Sequence, residues 1–208
     1  MEVERMGDNS FPLPVCNISR DSTGVTALYQ FYSSDCLCTS YPRLICQGTA
    51  TLNGTALEQI HGAYMIGGVV REGDNTLEVR GAGETPSATL VGEFGVWAAE
   101  DGGWQVGKAR PLELGSLGSQ GLPFYTGTVA YRRTVEVPEK VGKHILRIPS
   151  WKGEACSVWV NYQKVAVVSP GRFKMDISPY LEAGTNDIEV RISGASGAFG
   201  LLKDFTLE

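Results

Sequence analysis

Two stretches of this chain match each other: Gly73-Asp74-Asn75-Thr76-Leu77-Glu78-Val79-Arg80 and, 111 residues later, Gly184-Thr185-Asn186-Asp187-Ile188-Glu189-Val190-Arg191. The same offset lays residues 90–96 over residues 201–207 and keeps the apolar positions aligned to the C-terminus. Working backwards, Asn53 falls near Asn161 once a three-residue gap is allowed, and Thr26-Ala27-Leu28-Tyr29 resembles Thr128-Val129-Ala130-Tyr131. Solenoid repeats run to about 50 residues, so a period of this length is that of a small domain. The 208 residues are therefore expected to hold two similar units, 1–101 and 102–208, each long enough to bury its own core, with Gly102-Gly103 as the junction.

Apolar residues alternate with polar ones, or run in short β-branched and aromatic stretches, at 25–32, 43–47, 76–80, 88–97, 128–137, 144–148, 157–160, 164–168, 172–176 and 187–192. These are the expected strands. The 26 glycines and 10 prolines fall mostly between them, as at Asn53-Gly54 and Ala183-Gly184-Thr185, where a turn must accept positive φ. No segment keeps a helical apolar period. The best helical fragment, Ser178-Pro179-Tyr180-Leu181, is a hydroxyl cap followed by proline and is one turn long. The pattern predicts an all-β chain of two tandem β-sandwich units.

The net charge of −5, with Lys and Arg scattered singly, offers no basic stripe for nucleic acid or an anionic membrane. Four of the five cysteines, Cys16, Cys36, Cys38 and Cys46, lie in the first unit. If residues 36–38 are extended, Cys36 and Cys38 share a face. The favoured reading is buried small apolar side chains, with a disulfide from Cys46 to Cys36 or Cys38 next, because the spacing lacks the second pair of a zinc site. Asn53-Gly54-Thr55 matches a glycosylation acceptor, but the hairpin turn explains it.

The second unit reads Gly127-Thr128-Val129-Ala130-Tyr131-Arg132-Arg133-Thr134-Val135-Glu136-Val137-Pro138, then Val158-Trp159-Val160-Asn161, then Phe173-Lys174-Met175-Asp176-Ile177-Ser178-Pro179-Tyr180-Leu181, then Gly184-Thr185-Asn186-Asp187-Ile188-Glu189-Val190. In that order these blocks resemble the sugar-binding jelly-roll domain of family 2 glycoside hydrolases and of rhamnosidase-like enzymes. The resemblance covers residues 104–208 and implies a galactose-binding-like fold for the second unit and, through the repeat, for the first. One departure stands out: the glycine that follows the hairpin asparagine in the family is Tyr162 here, which makes a tight two-residue turn less natural and puts an aromatic ring at the tip. The family's catalytic carboxylates belong to a separate barrel domain that nothing here resembles. The resemblance thus implies an accessory part of a glycan-acting enzyme, exported to an extracellular or periplasmic space.

The residue types agree with that expectation. Glycoside hydrolysis needs two carboxylates held across the scissile bond, and no such pair is legible. Glu100-Asp101 and Asp204 read as solvated acids, His144 as an exposed strand residue and His61 as part of a turn. Sugar recognition uses flat rings against the C–H face of a pyranose, with carboxylate, amide and guanidinium groups directed at hydroxyls. Trp151, in an expected loop Trp151-Lys152-Gly153-Glu154, Tyr162 at a hairpin tip and Arg172 after Pro170-Gly171 are the candidate ligand residues, with Glu154 and Gln163 as hydrogen-bonding partners. Against this, a tryptophan in a sandwich more often packs in the core. The outward or inward direction of Trp159 depends on which sheet face is buried, and Phe124-Tyr125 could anchor an inter-domain loop.

Three functions fit: a non-catalytic module binding a polysaccharide or oligosaccharide; a structural domain bracing the catalytic domain of a parent enzyme, with no ligand of its own; and a protein-adhesion module. No cofactor is implied, and structural calcium is compatible with each, although no Asp-rich loop is legible.

Overall fold

The computed structural model describes residues 1–82, 84–100, 102–138, 142–169 and 173–208. It is all-β, apart from two single-turn 3-10 segments at Leu117–Gln120 and Ser178–Tyr180. The chain packs as two compact units, Asp8–Arg110 (the first unit) and Pro111–Glu208 together with Met1–Gly7 (the second unit). Relative to the expected division at 101/102, the strand Trp104–Lys108 lies in the first unit and the N-terminal strand Glu2–Arg5 lies in the second.

In the second unit a five-stranded sheet runs in the order Glu2–Arg5, Gly127–Val137, Gly184–Gly194, Ala155–Val160, Gln163–Val168, all antiparallel. A three-stranded sheet (Phe173–Asp176, Ile145–Ile148, Thr206–Leu207) and a pair (Ser150–Lys152 with Gly200–Lys203) supply the other layer. One core joins the layers: Val129, Tyr131, Val158, Ile188 and Val190 from the large sheet meet Leu146, Ile148, Leu201 and Phe205. Because side chains alternate along a strand, burying this face turns Arg132, Thr134, Trp159, Asp187, Glu189 and Arg191 to the other.

The first unit sets a seven-stranded sheet, centred on Gly24–Ser33 and Gly73–Gly81, beside a five-stranded sheet centred on Ala88–Gly92. Its core includes Phe11, Tyr29, Phe31, Leu77, Val79 and Phe94. The expected strand over 88–97 is two strands, Ala88–Gly92 and Phe94–Ala98, interrupted at Glu93.

The matching asparagines occupy matching positions. Asn53 donates its side-chain amide to Oδ1 of Asn75 at 2.8 Å, and Asn161 does the same to Asn186 at 2.8 Å. Asn75 Oδ1 also accepts the Arg71 N–H (2.9 Å), and its amide donates to the carbonyls of Arg71 (2.8 Å) and Gly73 (3.0 Å). Asn186 repeats this with the Glu182 N–H (2.8 Å) and the carbonyls of Glu182 (2.8 Å) and Gly184 (2.9 Å). Asn53 Oδ1 accepts from Thr76 N–H and Asn161 Oδ1 from Asp187 N–H, both at 3.0 Å. Each pair therefore ties a hairpin turn to the start of the central strand with no buried amide atom left wanting.

Strand pairing corrects one part of the sequence match. Tyr131 lies opposite Val190, whereas Tyr29 lies opposite Leu77. With Val79 and Val190 as counterparts, the partner of Tyr131 is Ala27, so the tyrosine match is two residues out of register. Two residues preserve the strand's facing, which is why the pattern looked right.

Other expectations also change. All five cysteines are free thiols, so neither Cys46 disulfide forms. Cys36 and Cys38 flank a buried Leu37 at φ +50°, so the segment is turned and not extended, and both thiols are exposed; of these three cysteines Cys46 alone is the buried side chain expected. At the helical turn Ser178 is the first residue and not the cap: the N-cap position is Ile177, which has no side-chain cap bond, and Asp176 Oδ1 accepts from both the N–H (3.0 Å) and hydroxyl (2.6 Å) of Ser178. Ser178 Oγ in turn accepts the N–H of His144, which precedes the strand Ile145–Ile148.

Candidate binding site

The exposed face of the large sheet in the second unit is built in cross-strand rows. Glu2, Arg132, Glu189 and Trp159 are successive partners in one row, and Thr134 and Asp187 are partners in the next. With Tyr162 and Arg191 these eight residues line a cleft of about 390 Å³. That volume falls within the range of small-molecule sites, about 300–1,000 Å³.

Tryptophan 159 is fixed from two sides. The Arg191 guanidinium lies 4.0 Å from its ring centroid, and the indole N–H donates to Ser157 Oγ at 3.1 Å. A cation over an indole contributes about 0.5–2 kcal/mol, depending on solvation, and here it locks the ring orientation. Glu189 receives guanidinium hydrogen bonds from both Arg132 and Arg191, and Arg132 also reaches Glu4. Burial pushes the Glu189 carboxyl up, but the two guanidinium groups outweigh it and hold it below the ordinary carboxylate value. Arg132 is shifted up in turn by its bonds to Glu4 and Glu189. At neutral pH the face therefore carries fixed charges of both signs. Asp187 accepts the Thr134 hydroxyl at 2.8 Å, which aims that carboxylate as well.

Tyrosine 162 supplies the second ring. It forms a two-residue turn with Asn161 between Val160 and Gln163, at φ +66° beside +48°, despite the absence of glycine. A left-handed non-glycine residue costs about 1–2 kcal/mol. The side chain is 88% exposed, so no packing offsets that cost. Such strain concentrates at functional positions. In the first unit the equivalent turn is Asn53-Gly54, at φ +53° and +79°, and the counterpart of Trp159 opposite Glu78 is Thr51.

Of the five residues expected from the sequence, Tyr162 lines this cleft. Glu154, in the bend between Ser150–Lys152 and Ala155–Val160, and Gln163, at the start of Gln163–Val168, are exposed and do not line it. Trp151 lies in the short strand Ser150–Lys152, not in a loop, and its ring packs against the core. Arg172 lies outside the described residues. Trp159, Arg132, Asp187, Glu189 and Arg191 were not among the candidates. The signal for them was the alternation Val158-Trp159-Val160 read together with Glu189-Val190-Arg191, once the valines are known to face inward. Tyr125 is also core: it is 1% exposed, stacks on Phe199 at 6.0 Å and donates to the Thr128 carbonyl at 2.9 Å. His61 sits exposed in a turn at φ +50°. Among the described residues no group of three or more His, Cys, Asp or Glu is placed to hold a metal ion, and no helix is long and apolar enough to cross a membrane.

No protein-family model matches the chain, and no curated protein matches it. Among solved structures it is similar to the β-glucuronidase of Bifidobacterium dentium, at 29% identity over 40% of this chain and 15% of the enzyme, with a TM-score of 0.35. It is similar also to the α-L-rhamnosidase of Streptomyces avermitilis, at 14% identity over 99% of this chain and 24% of that one, with a TM-score of 0.35. An anti-sigma factor domain-containing protein from Clostridium clariflavum shares 12% identity over 96% of this chain and 86% of its own, with a TM-score of 0.24. The chain spans less than a quarter of the length of each of these two glycosidases.

Proposed function

We propose that this chain is a non-catalytic carbohydrate-binding module, accessory to a polysaccharide-degrading enzyme, whose site is the sheet-face cleft of the second unit. The observation that carries the reading is the pairing of an orientation-locked Trp159 with the strained, exposed Tyr162 around fixed carboxylates and guanidinium groups. Rings accept the C–H face of a pyranose. Asp187 and Glu189 accept from its hydroxyls, and Arg132 and Arg191 donate to its oxygens. The sequence resemblance to sugar-binding jelly-roll domains supports the same reading and a galactose-binding-like descent for both units. The matched asparagine networks support an origin by duplication. An extracellular or periplasmic location follows from that parentage.

Isothermal titration of the chain with neutral and acidic tetrasaccharides tests the proposal. Saturable binding in the micromolar-to-millimolar range, with the sheet-face site lost in Trp159→Ala and the fold retained, is the expected result. One observation favours the bracing role instead: Ile45, Ile60 and Met65 in the five-stranded sheet of the first unit are 50%, 49% and 48% exposed, an apolar surface suited to a packed neighbour. A folded protein that binds none of the sugars would support that reading.

A further inference from the structure

The strand Gly24–Ser33 changes neighbour along one edge. Val15–Asp21 pairs with it as far as Tyr29, and Trp104–Lys108 takes over, in parallel, at Tyr32. Neither strand pairs with Gln30 or Phe31. At this break a cleft of about 480 Å³ opens within the first unit. Gln105, Tyr32 and Asp74 are successive partners in one row across three strands, and Gln30, Glu100 and Trp104 join them in the lining. Tyr32 is 44% exposed and Trp104 38%. No Lys, Arg or His is among the described residues that line it.

We propose that this cleft is a second saccharide site, selective for neutral sugars, and that the chain binds glycan at two places. It uses residues of the first unit alone and does not depend on the sheet-face cleft. Strand alternation sets Tyr32 and Trp104 on opposite faces of the sheet. The two partly exposed rings therefore border the break from either side, and each offers a separate contact for pyranose C–H groups. The amides of Gln30 and Gln105 both donate and accept, and the carboxylates of Asp74 and Glu100 accept from hydroxyls. With no cation beside them, those carboxylates repel a uronate, whereas the second unit's cleft contains two guanidinium groups. An added peptide strand is a poor fit, because a stretch of two open residues is shorter than the usual minimum of about three.

The test is isothermal titration of the full chain with mannotetraose, maltotetraose, cellotetraose and tetragalacturonate, for wild type, Tyr32→Ala, Gln105→Ala and Trp159→Ala. At least one neutral tetrasaccharide is expected to bind wild type at two sites, with one site remaining in Tyr32→Ala and one in Trp159→Ala. Gln105→Ala, which trims a partly exposed side chain, covers the case in which Tyr32→Ala does not fold, and should weaken the first-unit site at least about fivefold. Tetragalacturonate should bind the site that survives in Trp159→Ala at least about tenfold more weakly than the neutral sugar. A single site that persists in Trp159→Ala and vanishes in Tyr32→Ala would support this cleft but overturn both the sheet-face site and binding at two places. The inference is overturned if no neutral sugar binds, if Trp159→Ala abolishes all binding, or if Tyr32→Ala and Gln105→Ala both leave stoichiometry and affinity unchanged.

Discussion

The side-chain amide of Asn161 donates to Asn186 Oδ1 at 2.8 Å, and Asn186 is 1% exposed. Asn186 fills its remaining capacity with backbone groups of Glu182 and Gly184. Asn186→Ala strands the Glu182 N–H and two carbonyls and leaves Asn161 short of an acceptor. It should destabilise the second unit by about 2–4 kcal/mol. Asn75→Ala should cost the first unit a similar amount. Urea unfolding monitored separately for each unit checks both. A loss under about 0.5 kcal/mol would mean that the network is replaceable by water.

Acid should loosen the sheet face. The Glu189 carboxyl titrates below its ordinary 4.5 in the folded chain, because the guanidinium groups outweigh burial. A lowered folded-state pKa means that the contribution is fully present above about pH 4.5 and is lost as pH falls through the folded value. Thermal midpoints measured from pH 6 to pH 3 should therefore fall more steeply for wild type than for Glu189→Gln.

Thiol labelling should divide the cysteines three to two. Burial pushes the Cys46 thiol up to about 11 and the Cys156 thiol up to about 12, whereas Cys16, Cys36 and Cys38 are exposed. At pH 8 a disulfide reagent should modify those three in the folded protein, and the other two only after denaturation. Rapid reaction of all five would contradict the packing around Cys46 and Cys156.

Tyr162→Gly should trade function for stability. Glycine accepts the left-handed turn that Tyr162 now occupies at φ +66°, so the variant should be about 0.5–1.5 kcal/mol more stable by urea titration. Its sugar affinity should drop at least about fivefold, since an aromatic platform is worth about 1 kcal/mol or more. A variant that is both less stable and fully binding would remove the case for Tyr162 as a strained ligand residue.

The all-β class, most strands and the Asn53-Gly54 turn were legible because strand alternation and turn chemistry are local, whereas the tight turn at Asn161-Tyr162 forms against its local chemistry, without glycine. The sheet-face cleft was not. Its row of Glu2, Arg132, Glu189 and Trp159 draws on four strands, among them an N-terminal strand that no repeat pattern placed in the second unit. Trp151 illustrates the converse: followed by lysine and glycine it reads as loop, but its pairing with Leu201 sets it against the core. The two-residue slip between Tyr29 and Tyr131 has the same origin, since register is fixed by cross-strand contacts that a sequence match cannot see.

The most direct test of the proposed function is the Trp159 indole N–H resonance, identified by its absence in Trp159→Phe and followed by NMR while the chain is titrated with neutral and acidic tetrasaccharides. Its hydrogen bond to Ser157 makes it a reporter inside the cleft. A saturable shift of that resonance, with little change at Trp151, is the expected result. A folded protein in which it stays fixed across the panel, or in which Trp151 responds in its place, would contradict the assignment of the sheet face as the binding site.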